Sequence, residues 1–129
     1  LGFDVYDFKN PPGKTGFSWS EIDPQWRKWK ADEFTTALDH PLAQFGFGAD
    51  MGALSNAHAC VLLLPCGRSA HLELGYAVGA GKFTAVLMPS EGEEPELMYA
   101  MCDLVTDDLQ QIYAAICKRF GRPPESANA

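Results

Sequence analysis

The sequence predicts an α/β protein built on a doubly wound parallel sheet. Three observations predict it. Residues 59–64 are a fully apolar run of strand length and residues 83–88 a second apolar strand, as in parallel sheets covered on both faces. A helical segment follows each run, so the order from residue 59 onward is β-α-β-α-β-α, joined by right-handed crossovers. A chain of 129 residues, 47% of them hydrophobic, has the size and composition of one globular domain. The expectation is a single domain over residues 1–129, with a core at 1–120 and a frayed tail at 121–129.

In chain order, residues 3–8 (Phe-Asp-Val-Tyr-Asp-Phe) alternate as a strand does. Asn10-Pro11-Pro12-Gly13 stops it. Residues 14–22 are expected to form a loop with exposed aromatics. Ser20 and Asp23 have the spacing of a capping box, and Pro24 suits a first helical turn. Residues 26–30 then read as a short helix, basic on one side and aromatic on the other. A second helix covers about 32–39 and a third about 41–56, where Gly46, Gly48 and Gly52 lower the propensity and call for support from packing. The helix after the first apolar strand spans about 69–81. Ser69 is its expected N-cap, and Gly75, Gly79 and Gly81 are expected to let it lie close to the sheet. Residues 89–95 form an acidic loop, 96–101 a helical turn and 104–106 a short strand. Asp107 and Asp108 open a last helix to about Phe120, and Lys118-Arg119 sit where its dipole favours cations.

The net charge of −7 excludes a non-specific nucleic-acid binder, which needs a basic face. It leaves room for a phosphorylated small molecule held by one or two arginines. No apolar run reaches membrane-spanning length and no secretory signal is visible. Cys60, Cys66, Cys102 and Cys117 form no C-x-x-C pair, which argues against a zinc site. No metal or cofactor is expected, and a reducing cytoplasm is the expected compartment.

One residue resists a structural explanation. Between Asp50 and Lys82 the only full charges are Arg68 and Glu73. Arg68 falls in a turn; Glu73 falls inside an apolar helix, where an unpaired carboxylate is costly. It stands four residues after Ser69, so a capping box fits poorly, and i to i+5 is a poor spacing for an ion pair with Arg68. One turn into a helix, beside a strand's carboxyl end, a carboxylate is well placed as a nucleophile. Gly67-Arg68-Ser69 at that helix start could hold a phosphate through backbone N–H groups and the guanidinium. His71 lies one turn in and could touch a ligand, and Trp19 could stack on a base. Cys66 with His71 suggests a thiol enzyme, but a phosphatase loop would place arginine where Leu72 stands, so a catalytic cysteine is disfavoured.

Asp50-Met51-Gly52-Ala53-Leu54-Ser55-Asn56-Ala57, the apolar strand, Gly67-Arg68-Ser69-Ala70-His71-Leu72-Glu73-Leu74-Gly75-Tyr76-Ala77 and Gly81-Lys82 together resemble the nucleoside 2-deoxyribosyltransferase superfamily, whose relatives include 2′-deoxynucleoside 5′-phosphate N-hydrolases. The resemblance covers about residues 3–117. It implies a flavodoxin- or Rossmann-like three-layer sandwich in strand order 2-1-3-4-5. It implies Glu73 as nucleophile on C1′ of a nucleoside or nucleotide, and Asp50 as the residue that positions the sugar or assists base departure. It implies Gly67, Arg68, Ser69, His71 and Trp19 around the substrate, and a homo-oligomer, a dimer or larger, in which the apolar residues 97–101 could serve an interface.

Two departures accompany the resemblance. His58 stands where the family has an aspartate. The family's first β-α unit has no counterpart here, since residues 3–8 correspond to its second strand; the expectation is that upstream residues, another segment or another subunit supply it. Two other functions fit the same stretch. A TIR-like NAD glycohydrolase would release nicotinamide from NAD, and a non-catalytic nucleotide-binding module would bind without turnover.

Overall fold

Three parallel strands form an open sheet in the order β1 (Ala59–Leu63), β2 (Phe83–Leu87), β3 (Leu104–Thr106). Ala59 pairs with Phe83 and Leu63 with Leu87, while Ala85 pairs with Leu104. The computed structural model describes residues 2–14 and 16–123, so the expected tail lies, from residue 124 on, outside the described residues. Among the described residues there are four α-helices: α1 (Ala31–Ala37), α2 (Pro41–Asn56), α3 (Arg68–Gly79) and α4 (Leu109–Phe120). The chain divides into two compact units, one of Leu1–Asp4 with Ala57–Ala129, the other of Val5–Asn56.

The first unit holds the sheet. Alternate side chains of a strand point to opposite faces, and the core divides accordingly. Leu62 and Val86 meet Leu74 of α3 and Tyr99 on one face. Phe83 and Ala85 meet Ile112 of α4 on the other. The β1-to-β2 crossover through α3 and the β2-to-β3 crossover through the 3-10 turn Leu97–Met101 both contribute to the first cluster, so both run over the same face. Two crossovers that advance in one direction over one face share one hand. The order β1-β2-β3 never reverses, and reversal is what defines double winding; the fold shown is mixed α/β with a three-stranded parallel sheet.

Several local signals are answered here. Asp108 caps α4, its carboxylate accepting from Gln110 N at 2.9 Å. α3 begins earlier than expected, with Gly67 and not Ser69 as N-cap. A Cβ on Gly75 or Gly79 would meet nothing within 4 Å, so these glycines do not bring α3 against the sheet. Gly81, at φ 76°, turns the chain out of α3 in a conformation that side chains with a Cβ adopt rarely. Lys82 then donates from Nζ to the Ala57 carbonyl at 2.6 Å, tying the start of β2 to the start of β1.

Residues 3–8 form no strand, contrary to their alternation. A strand needs a ladder partner, and this stretch is split between the two units. Phe3 packs edge-on against Tyr113 of α4 at 5.8 Å in the first unit. Tyr6 and Phe8 pack on each other at 4.8 Å in the second.

The second unit is helical. The expected capping box at Ser20 and Asp23 falls instead at Ser18 and Glu21, around the 3-10 turn Trp19–Glu21: Glu21 Oε2 accepts from Ser18 N at 2.8 Å. The helix expected at 26–30 is a 3-10 turn, Trp26–Lys28. The aromatics of the 14–22 loop are not exposed; Phe17 and Trp19 are half-buried in a cluster with Trp29 and Phe34. α2 forms despite three glycines. His40 Nδ1 accepts from Leu42 N at 3.1 Å, capping the helix just before Pro41. Gly46 is needed because a Cβ there would come within 2.9 Å of Phe17 Cβ.

Leu74 is 2% exposed and Leu72, two residues earlier on α3, is 76% exposed. Leu74→Ala is therefore expected to cost about 2–5 kcal/mol in urea unfolding, and Leu72→Ala less than about 0.5 kcal/mol. Equal effects would mean that α3 does not dock by this face.

Candidate functional site

The carboxyl end of β1 leads through Pro65-Cys66-Gly67 into α3, and this junction gathers most of the residues singled out from the sequence. Gly67 caps α3 with extended backbone and no side-chain hydrogen bond to the helix. The first N–H groups of α3 thus receive no cap from the N-cap side chain, and such groups favour an anion. Arg68 and Ser69 follow in the first turn, both exposed.

His71 acts within the chain. Its Nδ1 lies 2.8 Å from the Gly67 carbonyl, and its Nε2 lies 2.7 Å from the Tyr99 hydroxyl. A carbonyl only accepts, so in the neutral ring Nδ1 carries the proton and Nε2 accepts from Tyr99. The two rings stack at 5.8 Å with 19° between their planes. His71 therefore links the turn before α3 to the turn Leu97–Met101. Cys66 Sγ sits 3.8 Å from the same Nδ1, which already donates and has no lone pair for a thiol proton. Burial, then the neighbouring Cys66, Glu93, Glu96 and Cys102, push the Tyr99 hydroxyl above its ordinary pKa, so it stays a donor at neutral pH.

Glu73 is the sixth residue of α3, beyond the first turn where the helix dipole acts. It is half-buried, beside fully buried Leu74 and one helical turn from buried Ala77, at the margin of the face that meets the sheet. Its charge reaches Cys60 on β1. Burial first, then Glu73 and Cys102, push the Cys60 thiol up to about 11, against a smaller opposite effect of Lys82.

Asp50 and Trp19 belong to the second unit. Asp50, half-buried on α2, accepts from the Tyr6 hydroxyl at Oδ1, 3.0 Å away. Trp19 is enclosed edge-on by Phe17 at 4.8 Å, Phe34 at 5.6 Å and Trp29 at 5.8 Å. The structure thus brings Gly67, Arg68, Ser69, His71 and Glu73 onto one helix start, and it holds Asp50 and Trp19 in separate settings within the other unit. Sequence reasoning missed Tyr6 and Tyr99, which orient two of these side chains; both are distant in sequence from the groups they bind. It also missed an open cleft of about 460 Å³ in the second unit, lined in part by Asp23, Trp29, Glu33, Asp39 and His40. There Trp29 Nε1 donates to Asp23 Oδ2 at 2.8 Å. Hydrogen bonds from Gln25 N and from Trp29 hold the Asp23 carboxyl below its usual range.

Among the described residues no group of three or more His, Cys, Asp or Glu side chains could hold a metal ion, and no helix is long and apolar enough to cross a membrane. Comparison with protein-family models, curated proteins and solved structures finds no match to this chain.

Two outcomes test this geometry. With its pKa raised from 9.0 to about 11, Cys60 is almost wholly protonated at neutral pH. Peptide mapping after iodoacetamide treatment at pH 8 should find it alkylated slowly, and faster in Glu73→Gln, because losing the negative charge lowers the thiol pKa. A folded-state pKa above the unfolded value stabilises the fold fully below pH 9.0 and loses that contribution as pH rises towards about 11. Separately, Tyr99→Phe should cost about 1 kcal/mol in chemical unfolding and raise amide exchange in residues 97–101, since it removes the bond to His71. Unchanged exchange there would refute the link.

Proposed function

We propose that this protein cleaves or transfers at the N-glycosidic bond of a nucleoside or nucleoside 5′-monophosphate, with Glu73 as nucleophile. The observation that carries the reading is the position of Glu73: a half-buried carboxylate on the helix that begins at a strand's carboxyl end, downstream of an N-terminus with no side-chain cap. The sequence resemblance supports the same assignment.

In this mechanism a Glu73 oxygen attacks C1′. The C1′–N bond breaks, and the base leaves with the bonding electrons and takes up a proton. A glycosyl ester of Glu73 results, and water or a second base displaces the carboxylate with net retention at C1′. The transition state is cationic at the sugar, so carboxylates stabilise it. For Asp50, which Tyr6 orients within the second unit, the sequence resemblance is the sole support for a sugar-positioning or base-departure role. A 5′-phosphate would take the exposed N–H groups at Gly67, Arg68 and Ser69 and the Arg68 guanidinium, whereas Trp19, packed by Phe17, Phe34 and Trp29 in the second unit, is left out of this reading. His71 serves by holding Gly67 and Tyr99 in place. The finer architecture belongs to the same proposal: a doubly wound sheet that further strands would complete, in a cytoplasmic homo-oligomer.

The test is incubation with a panel of nucleosides and 5′-monophosphates, with chromatography for free base. Wild type should release base, and Glu73→Ala should lose at least about 10³-fold in rate. A burst quenched in acid should show the glycosyl adduct on the peptide containing Glu73. Equal release by wild type and Glu73→Ala would sink the assignment. Nucleotide binding without release would replace it with a binding module, and nicotinamide release from NAD alone with a glycohydrolase of that cofactor.

A further inference from the structure

The net charge of this protein sits in one stretch of the chain. Residues 83–117 hold seven of its 17 acids and none of its 10 bases, so they carry the whole net charge of −7, and acids and bases balance elsewhere. The same stretch carries an apolar patch. On the turn Leu97–Met101, Leu97 is 84% exposed, Met98 58% and Met101 45%. In a 3-10 helix, residues three apart share a row. Tyr99, continued by Cys102, forms the inward row and packs on Leu62, Leu74 and Val86. The row of Leu97 and Ala100 and the row of Met98 and Met101 both face out. Acids rim this patch. Glu96 caps the turn, its carboxylate accepting from Met98 N at 3.0 Å. The charges of Glu93 and Glu96 are felt at the Tyr99 hydroxyl, so the acidic loop before the turn lies beside it. Glu91 and Glu94 of that loop are exposed. Single apolar residues at a surface need no explanation, but an apolar patch rimmed by charge marks a docking surface.

We infer that the turn Leu97–Met101 docks a basic amphipathic helix of another protein. Charge selects the occupant. A second copy brings the same acids and is repelled from this surface, as are anionic lipid and nucleic acid. A helix with leucines along one side and lysines or arginines on its flanks meets Leu97, Met98 and Met101 with the first, and Glu91, Glu94 and Glu96 with the second. Two methionines suit the task, because an unbranched thioether adapts to the shape laid on it. Area sets the strength. Three side chains on one short turn cover less than the roughly 800 Å² per partner of a standard interface, so the complex dissociates in the micromolar range and weakens with salt. This surface stands apart from the reading of Glu73 as a nucleophile.

Isothermal calorimetry of the full chain with a synthetic leucine–lysine peptide tests this, the peptide being about five helical turns long with its leucines on one face. Wild type should bind it with a Kd below about 100 μM, rising as salt is added. The same residues shuffled so that no apolar face forms should bind at least about tenfold more weakly. Leu97→Ser combined with Met98→Ser should also cost at least about tenfold, and Glu91→Gln combined with Glu94→Gln about threefold or more with a shallower salt dependence. All four side chains are exposed, so the urea midpoints of both variants should match wild type. Absence of binding overturns the inference. So does equal binding of the shuffled peptide, or indifference to Leu97→Ser with Met98→Ser. A wild type that dimerises through this patch in sedimentation equilibrium, or that binds vesicles of phosphatidylcholine and phosphatidylserine, overturns it by giving the surface another occupant.

Discussion

The first unit depends on one strand having no access to water. β2 lies between β1 and β3, and Phe83, Thr84, Ala85 and Val86 are all buried. A strand covered on both faces admits a polar side chain only with partners supplied. Thr84 is that side chain, and Asp103 supplies the partners. Asp103 Oδ2 accepts from Thr84 N at 2.9 Å and lies 3.5 Å from its hydroxyl, while Asp103 N donates to the Thr84 carbonyl at 3.0 Å. The carboxylate thus acts as one more rung of the ladder just before β3 begins. It fixes where Leu104 meets Ala85, and so where the preceding turn Leu97–Met101 can lie. Tyr99 reaches His71 from that turn. A buried threonine on the central strand and the linkage at the start of α3 are therefore parts of one chain of constraints.

That linkage changes the chemistry available at the junction. A histidine with one ring nitrogen on a carbonyl and the other on a phenol is a structural tie before it is a ligand. It also disposes of the thiol alternative on protonation grounds: Nδ1 already donates to Gly67, so it cannot take the Cys66 proton. The remaining functional groups are the N–H groups of the first turn, Arg68, Ser69 and Glu73. They separate along the helix, anion-favouring groups at its start and a carboxylate one turn further on.

Much of this architecture is legible in the residues, and the failures share a cause. The bounds of α2, the two apolar strands and the Asp108 cap follow from local patterns, and local patterns suffice where the partner of each group is nearby in sequence. Residues 3–8 alternate as a strand should, yet a strand exists only against a neighbour, and no local pattern says whether one is present. The capping box moved from Ser20 to Ser18 because both offer a hydroxyl three residues before an acid. The glycines of α3 were misread for the same reason: composition says that a close approach is permitted, not that anything approaches. Glu73 was identifiable because a charge inside an apolar helix is conspicuous. Tyr6 and Tyr99 were not, because a tyrosine beside distant Asp50 or His71 leaves no trace in spacing.

Asp50 and Glu73, the two carboxylates singled out from the sequence, stand in different physical settings. Asp50 Oδ1 accepts a hydrogen bond from Tyr6, so its direction is set by an aromatic ring packed on Phe8. Glu73 lies where α3 passes from buried to exposed, at the edge of a hydrophobic cluster, with its charge felt on β1. Partial burial strengthens a charge's interaction with any cation that forms beside it, and the open side of the helix leaves room for a ligand to approach. Asp50 is thus an oriented acceptor within its own unit, and Glu73 a half-buried carboxyl at the edge of a core cluster in the other.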